Sequence, residues 1–212
     1  MIPAFPVYIF DVDGTLLDSA QDICSSVQQV LETTECYPVT FDFLKGYIGL
    51  HLINLFQDVL PHYTPGQIDD LIVRYRSTYL ARGHQLTSVY PGVAEALAAL
   101  GGRKATATTK GTPTTRAILS QFGLIGYFDH VQGTDGFPCK PAPDVILAAL
   151  AALGARPEEC LMVGDSPADM EAGKRAGVQT CAVRYGYGKT DQMARLEPDY
   201  WVDDLRALAP QP

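Results

Sequence analysis

The 212-residue chain carries two different spacings of apolar positions, and the change from one to the other marks its organisation. Residues 7–10 (VYIF) are a continuous apolar run of strand-forming residues closed by acids and a glycine, which predicts a buried strand. Over residues 19–81 the spacing is helical. Ile23, Val27, Val30 and Leu31 follow the cap candidates Asp18 and Ser19. Ile68, Leu71, Ile72, Tyr75 and Tyr79 follow Thr64 and Pro65, and residues 52–60 predict a shorter helix between these two. No segment of this stretch reads as a strand.

The pattern changes at Tyr90-Pro91-Gly92. Pro91 is suited to open a helix running to Leu100, which Gly101 and Gly102 stop. Strands are then predicted at residues 104–108, 130–133, 161–164 and 179–183, with a further candidate at 200–202. Helices are predicted between them at 113–122, 144–153 and 167–176, and Gly154 ends the second of these. Strands alternating with helices imply crossover connections and a parallel sheet. The expected fold is α/β: a Rossmann-like parallel sheet core flanked by helices, interrupted by an all-helical cap. The expected boundaries are residues 1–15 and 88–212 for the core and 16–87 for the cap.

Composition narrows the function classes. Sixteen basic against 24 acidic residues leave a formal charge of −8, a poor match for nucleic acid or an anionic membrane. A local pocket can still differ in sign from the whole, so anionic small molecules stay open as ligands. No apolar run approaches a membrane span, and the start MIPAFPVYIFDVDG lacks the basic region of a secretory signal. Five scattered cysteines without a CxxC pair argue against a disulfide framework or a zinc site and fit a cytoplasmic protein.

In an open parallel sheet, ligands bind beyond the carboxyl ends of the strands. The residues following each predicted strand are Asp11 and Asp13, then Thr108, Thr109 and Lys110, then Lys140 by way of a loop, then Asp165 and Asp169. Asp11 and Asp13 are two apart on extended chain, so both carboxylates can face one site, and Gly14 permits the turn after them. Close carboxylates titrate as a pair, a way to obtain a nucleophile and an acid/base. Asp and Gly also suit an ordinary turn, and Asp165 an ordinary helix cap. Four carboxylates with only Lys140 opposite them repel one another. A hard divalent cation relieves that, and Mg²⁺ is the usual one where phosphate is handled. Lys140 suits a phosphate or a crowded carboxylate, and Thr108 and Thr109 can donate to phosphate oxygens or serve as plain strand residues. Gly186, Tyr187 and Gly188 read most simply as a turn.

Together these segments resemble the haloacid dehalogenase superfamily, whose four motifs occur in order. DVDGTLLDS starts at Asp11, the Thr-Thr-Lys at Thr108, KPAPD at Lys140, and VGDSPAD ends at Asp169. Within that superfamily the chain is most similar to phosphoglycolate phosphatase-like hydrolases. The resemblance implies that Asp11 attacks phosphorus and that Asp13 protonates the leaving oxygen and later takes a proton from water. It implies Mg²⁺ on the Asp11 carboxylate, the Asp13 backbone carbonyl and Asp165, with Asp169 supporting. Gly14, Thr108, Thr109 and Lys140 are the implied phosphate and substrate contacts. Asp13 favours phosphoryl transfer over carbon–halogen cleavage, because halide needs no proton. Thr109 departs from the usual Asn. Substrate choice is expected in the cap, where Lys45, Tyr47, Gly49 and His51 occupy the segment similar to the one facing the active site in capped relatives. The expected partner is a small phosphorylated metabolite, without nucleic acid or membrane, for a monomer or homodimer. A phosphomutase, a pyrophosphatase or nucleotide phosphatase, and a non-catalytic binding protein are the alternatives.

Overall fold

A computed structural model describes residues 2–209. In chain order the elements are β1 (Val7–Phe10), β2 (Leu17–Asp18), α1 (Ala20–Leu31), α2 (Phe41–Lys45), α3 (Leu52–Val59) and α4 (Pro65–Ala81). Next come β3 (Ser88–Val89), α5 (Val93–Ala99), β4 (Arg103–Thr106), α6 (Thr112–Gln121) and α7 (Asp144–Leu153). The chain closes with β5 (Cys160–Gly164), α8 (Pro167–Ala176), β6 (Gln179–Val183), α9 (Thr190–Ala194) and β7 (Tyr200–Val202).

The chain divides into two compact units, Ser19–Thr87 and the remainder. The remainder is built on a five-stranded sheet in the order β4-β1-β5-β6-β7, every neighbouring pair parallel. The four residues of β1 alternate between its faces. Val7 and Ile9 pack with Val145, Ile146 and Ala149 of α7 and Ala172 of α8. Tyr8 and Phe10 pack with Val93 and Leu97 of α5 and Ile118 and Leu119 of α6. Burial on both faces is why this strand is apolar throughout rather than alternating. Each such side chain contributes roughly 1.5–3 kcal/mol by leaving water.

Two expectations need correction. Residues 130–133 do not form a strand. They run beside β4 through isolated parallel bridges, Ala105 to His130 and Thr108 to Gly133. The Thr106 hydroxyl takes up part of the ladder there, donating to the Gln132 carbonyl and accepting from its N–H. Residues 16–18, expected in the cap, belong to the sheet-bearing unit, because β2 pairs antiparallel with β3.

The second unit contains α1 to α4 around Ile23, Val27, Leu31, Leu55, Phe56, Ile68, Leu71 and Tyr75. Thr64 and Gln67 form a reciprocal capping box at the start of α4. Buried Asp22 accepts from the Leu86 N–H at 2.9 Å, the Thr87 hydroxyl at 2.8 Å and the Arg82 Nε at 3.3 Å. Tyr47 donates to Asp58, His51 caps α3 through Nδ1, and Gly49 turns at φ +93°. Among the described residues no helix is long and apolar enough to cross a membrane.

Candidate active site

The register of the sheet sets the site. Phe10 lies opposite both Thr106 and Val163, so the carboxyl ends of β4, β1 and β5 are level. The Asp11 N–H continues the ladder to the Val163 carbonyl at 2.9 Å. Asp11, Asp13, Thr108 and Asp165 therefore emerge side by side, and all four are buried.

Lys140 reaches the same place from its loop and is only 2 % exposed. Its ammonium lies 2.8 Å from Asp11 Oδ1 and donates to Asp169 Oδ1 at 2.5 Å and the Ala107 carbonyl at 2.9 Å. Three N–H donors thus meet three oxygens. Asp169 does double duty. Its other oxygen accepts from the Ser166 N–H and hydroxyl, closing the capping box that starts α8. Asp165 Oδ1 accepts from the Thr15 hydroxyl at 3.0 Å, and Oδ2 from the Tyr187 N–H at 2.8 Å.

Glycines make this crowding possible. A Cβ on Gly14 would stand 2.2 Å from Asp165 Oδ2, and one on Gly186 2.3 Å from the Asp165 Cβ. Gly14 also sits at φ +87°, where other residues are strained. Gly164 leaves room in the same way for Asp169. The Gly186-Tyr187-Gly188 segment is therefore more than the turn expected: it is the wall against which Asp165 is set. The sequence reading did not single out Thr15 and read this loop only as a turn. The available signal was two glycines directly beyond β6 at the ligand-binding edge.

Oxygen atoms of Asp11, Asp165 and Asp169 lie within 4.8 Å of one another. Burial pushes the Asp11 carboxyl up to about 7, although Lys140 pulls it down, and it pushes Asp165 to about 8, helped by Asp169 and Asp11. Burial alone would lower Lys140, but Asp11 and Asp169 outweigh it and its pKa is raised. Lys140 lies between two carboxylates, which raises its pKa, while burial outweighs its pull on Asp11. Three buried carboxylates this close are a donor set suited to a hard divalent cation. Asp13 enters the expected metal set through its backbone carbonyl, and its carboxylate is not one of these three.

Lys140 is not alone opposite the four carboxylates, as the sequence reading had it. The Lys110 ammonium lies 2.6 Å from Asp13 Oδ2. The Thr108 hydroxyl accepts from the Lys110 N–H, and its carbonyl from the Thr134 hydroxyl. Thr109 is half-buried beside it.

The chain is similar to known proteins in sequence and in fold. A family model described as haloacid dehalogenase-like hydrolase matches residues 8–183. A phosphoglycolate phosphatase of Aquifex aeolicus is 36% identical over 201 residues, covering 92% of this chain and 90% of that protein. The tyrosine-protein kinase PtkA of Mycobacterium bovis is 37% identical over 190 residues, covering 86% of this chain but 63% of that protein. A haloacid dehalogenase-like family hydrolase from Streptococcus pneumoniae superposes with a TM-score of 0.87 at 25% identity, covering 96% of each chain.

Proposed function

We propose that this chain, which belongs to the haloacid dehalogenase-like hydrolase family, hydrolyses small phosphate monoesters through a phosphorylated Asp11, with 2-phosphoglycolate as the leading substrate. The observation that carries the reading is the meeting of Asp11, Asp165 and Asp169 at the carboxyl edge of a parallel sheet, with Lys140 on Asp11 and Asp169. The substrate rests on the name of the Aquifex relative.

In this reading an Asp11 oxygen forms a bond to phosphorus as the bond to the leaving oxygen breaks. Asp13 delivers a proton to that oxygen. Water then attacks phosphorus, Asp13 takes its proton, and the Asp11–phosphorus bond breaks to release phosphate. Lys140 neutralises charge on Asp11 and the transferred group, and Thr108 and Thr109 contribute donors to it. Asp11, Asp165, Asp169 and the Asp13 backbone carbonyl would hold Mg²⁺, which supplies positive charge to the phosphoryl oxygens. Five free cysteines support a reducing compartment such as the cytoplasm.

The test is phosphate release from a panel of phosphometabolites with Mg²⁺, wild type against Asp11→Asn. We expect one compound to turn over well with wild type and a loss of at least a thousandfold in the variant, about the scale for a unit of nucleophile and base. Phosphate appearing on a sugar or a protein hydroxyl instead of in water would favour a mutase or a kinase of the kind the mycobacterial relative is named for. No release from any compound would sink the reading.

A further inference from the structure

Lys110 is a second cation at the site, and neither the sequence reading nor the proposed chemistry gives it a task. Its ammonium lies 2.6 Å from Asp13 Oδ2, with 12% of the Lys110 side chain and 8% of the Asp13 side chain exposed. Lys140 contacts Asp11 and Asp169. The two lysines thus divide the carboxylates, one on the proposed nucleophile and one on the proposed proton carrier.

The backbone that presents Lys110 is held from both sides. Its N–H donates to the Thr108 hydroxyl at 3.3 Å, and its carbonyl accepts from the Thr134 N–H at 2.8 Å. The Gly133 N–H donates to the Thr112 hydroxyl at 2.9 Å, and the Thr112 N–H donates to Asp135 Oδ1 at 3.0 Å. A Cβ on Gly133 would stand 2.3 Å from the Lys110 carbonyl oxygen. The bridge-like segment 133–135 is therefore the support on which the Lys110 turn rests.

We propose that Lys110 is a positioning residue for Asp13, holding the carboxylate so that it meets the leaving oxygen in one orientation. The inference rests on the phosphomonoesterase reading above. Proton transfer by a side chain requires hydrogen-bond reach and alignment before anything else. A carboxylate gripped through one oxygen rotates less about its Cβ–Cγ bond, so its other oxygen samples fewer unproductive directions. A merely structural ion pair would contribute to stability and would not distinguish one leaving group from another.

Leaving-group dependence separates these readings. An alkyl phosphate expels a poor leaving group and needs the proton from Asp13, whereas p-nitrophenyl phosphate expels a good one and needs it little. General acid–base catalysis contributes roughly a hundredfold to ten-thousandfold. Lys110→Met is therefore expected to lower kcat on the best alkyl phosphate of the panel by about 30-fold or more, and on p-nitrophenyl phosphate by less than about threefold. Lys110→Arg should restore much of the alkyl phosphate rate, since its fork also grips a carboxylate. Gly133→Ala, which leaves the lysine in place but displaces its support, should show the same selective loss. Thermal melting of each variant tests folding separately.

Equal losses on both substrates, or no loss on either, would overturn the inference while leaving the phosphatase reading intact, provided wild type is active and Asp11→Asn is not. If wild type and Asp11→Asn are equally inactive on every substrate, the phosphatase reading fails and this inference fails with it.

Discussion

At the scale of single residues, the site is a problem of uneven charge. Lys140 meets three oxygens inside the protein, and two of them are carboxylates. Removing it leaves Asp11 and Asp169 buried without their shared cation. Breaking a buried ion pair on one side usually costs about 3–5 kcal/mol, more than the pair contributes when intact. Lys140→Met is expected to lose about that much stability at pH 8 in urea unfolding and to lose turnover as well. A change within about 0.5 kcal/mol would mean that the carboxylates simply protonate at no cost. Asp13 and Thr15 show the complementary lesson. The contacts of Asp13 with Lys110 and of Thr15 with Asp165 are ones that no short-range pattern reveals.

At the scale of elements, level strand ends bring the acids together and glycines let them approach. β1 and β5 deliver Asp11 and Asp165 because their registers match. The loop after β6 then closes on Asp165, with the Tyr187 N–H as donor and Gly186 as clearance. The same loop is tied down by its rings: Tyr185 donates to the Thr15 carbonyl and packs 4.7 Å from Tyr90, and Tyr187 donates to Asp18. A methyl at position 186 must push either the loop or Asp165 aside. Gly186→Ala is expected to weaken Mg²⁺ binding by about 10–100-fold, the usual scale for damage to groups that orient a metal ligand. Isothermal titration with Mg²⁺ checks it, and unchanged affinity would show that the loop is a bystander.

At the scale of the molecule, the buried acids link stability to pH and metal. Asp11 and Asp165 titrate in the folded protein at about 7 and 8, against 3.8 in the ordinary case. Between about pH 4 and pH 8 the folded state therefore holds more protons at these two sites than the unfolded state. Their contribution to stability falls as pH rises through that window. A divalent cation held by the folded site would compete with those protons, so its stabilisation should grow across the same window. The rise in melting temperature on adding Mg²⁺ is expected to be larger at pH 8 than at pH 5.5. An equal rise at both values would place the metal elsewhere.

Much of this protein was legible in the order of its residues. Apolar runs followed by acids marked β1 and β5, helical spacing marked α1 and α4, and the strand–helix alternation after residue 90 implied a parallel sheet, because burial on two faces and helix periodicity are local properties of sequence. The acids and Thr108 were found beyond strand ends for the same reason, while Lys140 arrives from a loop that follows no strand. Tertiary structure alone decided the rest. Residues 130–133 have strand composition, yet the Thr106 side chain takes ladder contacts that a strand would make through backbone. Residues 16–18 joined the sheet-bearing unit because their partner strand lies seventy residues away. Lys110 on Asp13, Thr15 on Asp165 and the clearance at Gly186 are distances between segments far apart in the chain. Such distances are set by how strands align and helices pack, and no local spacing encodes them.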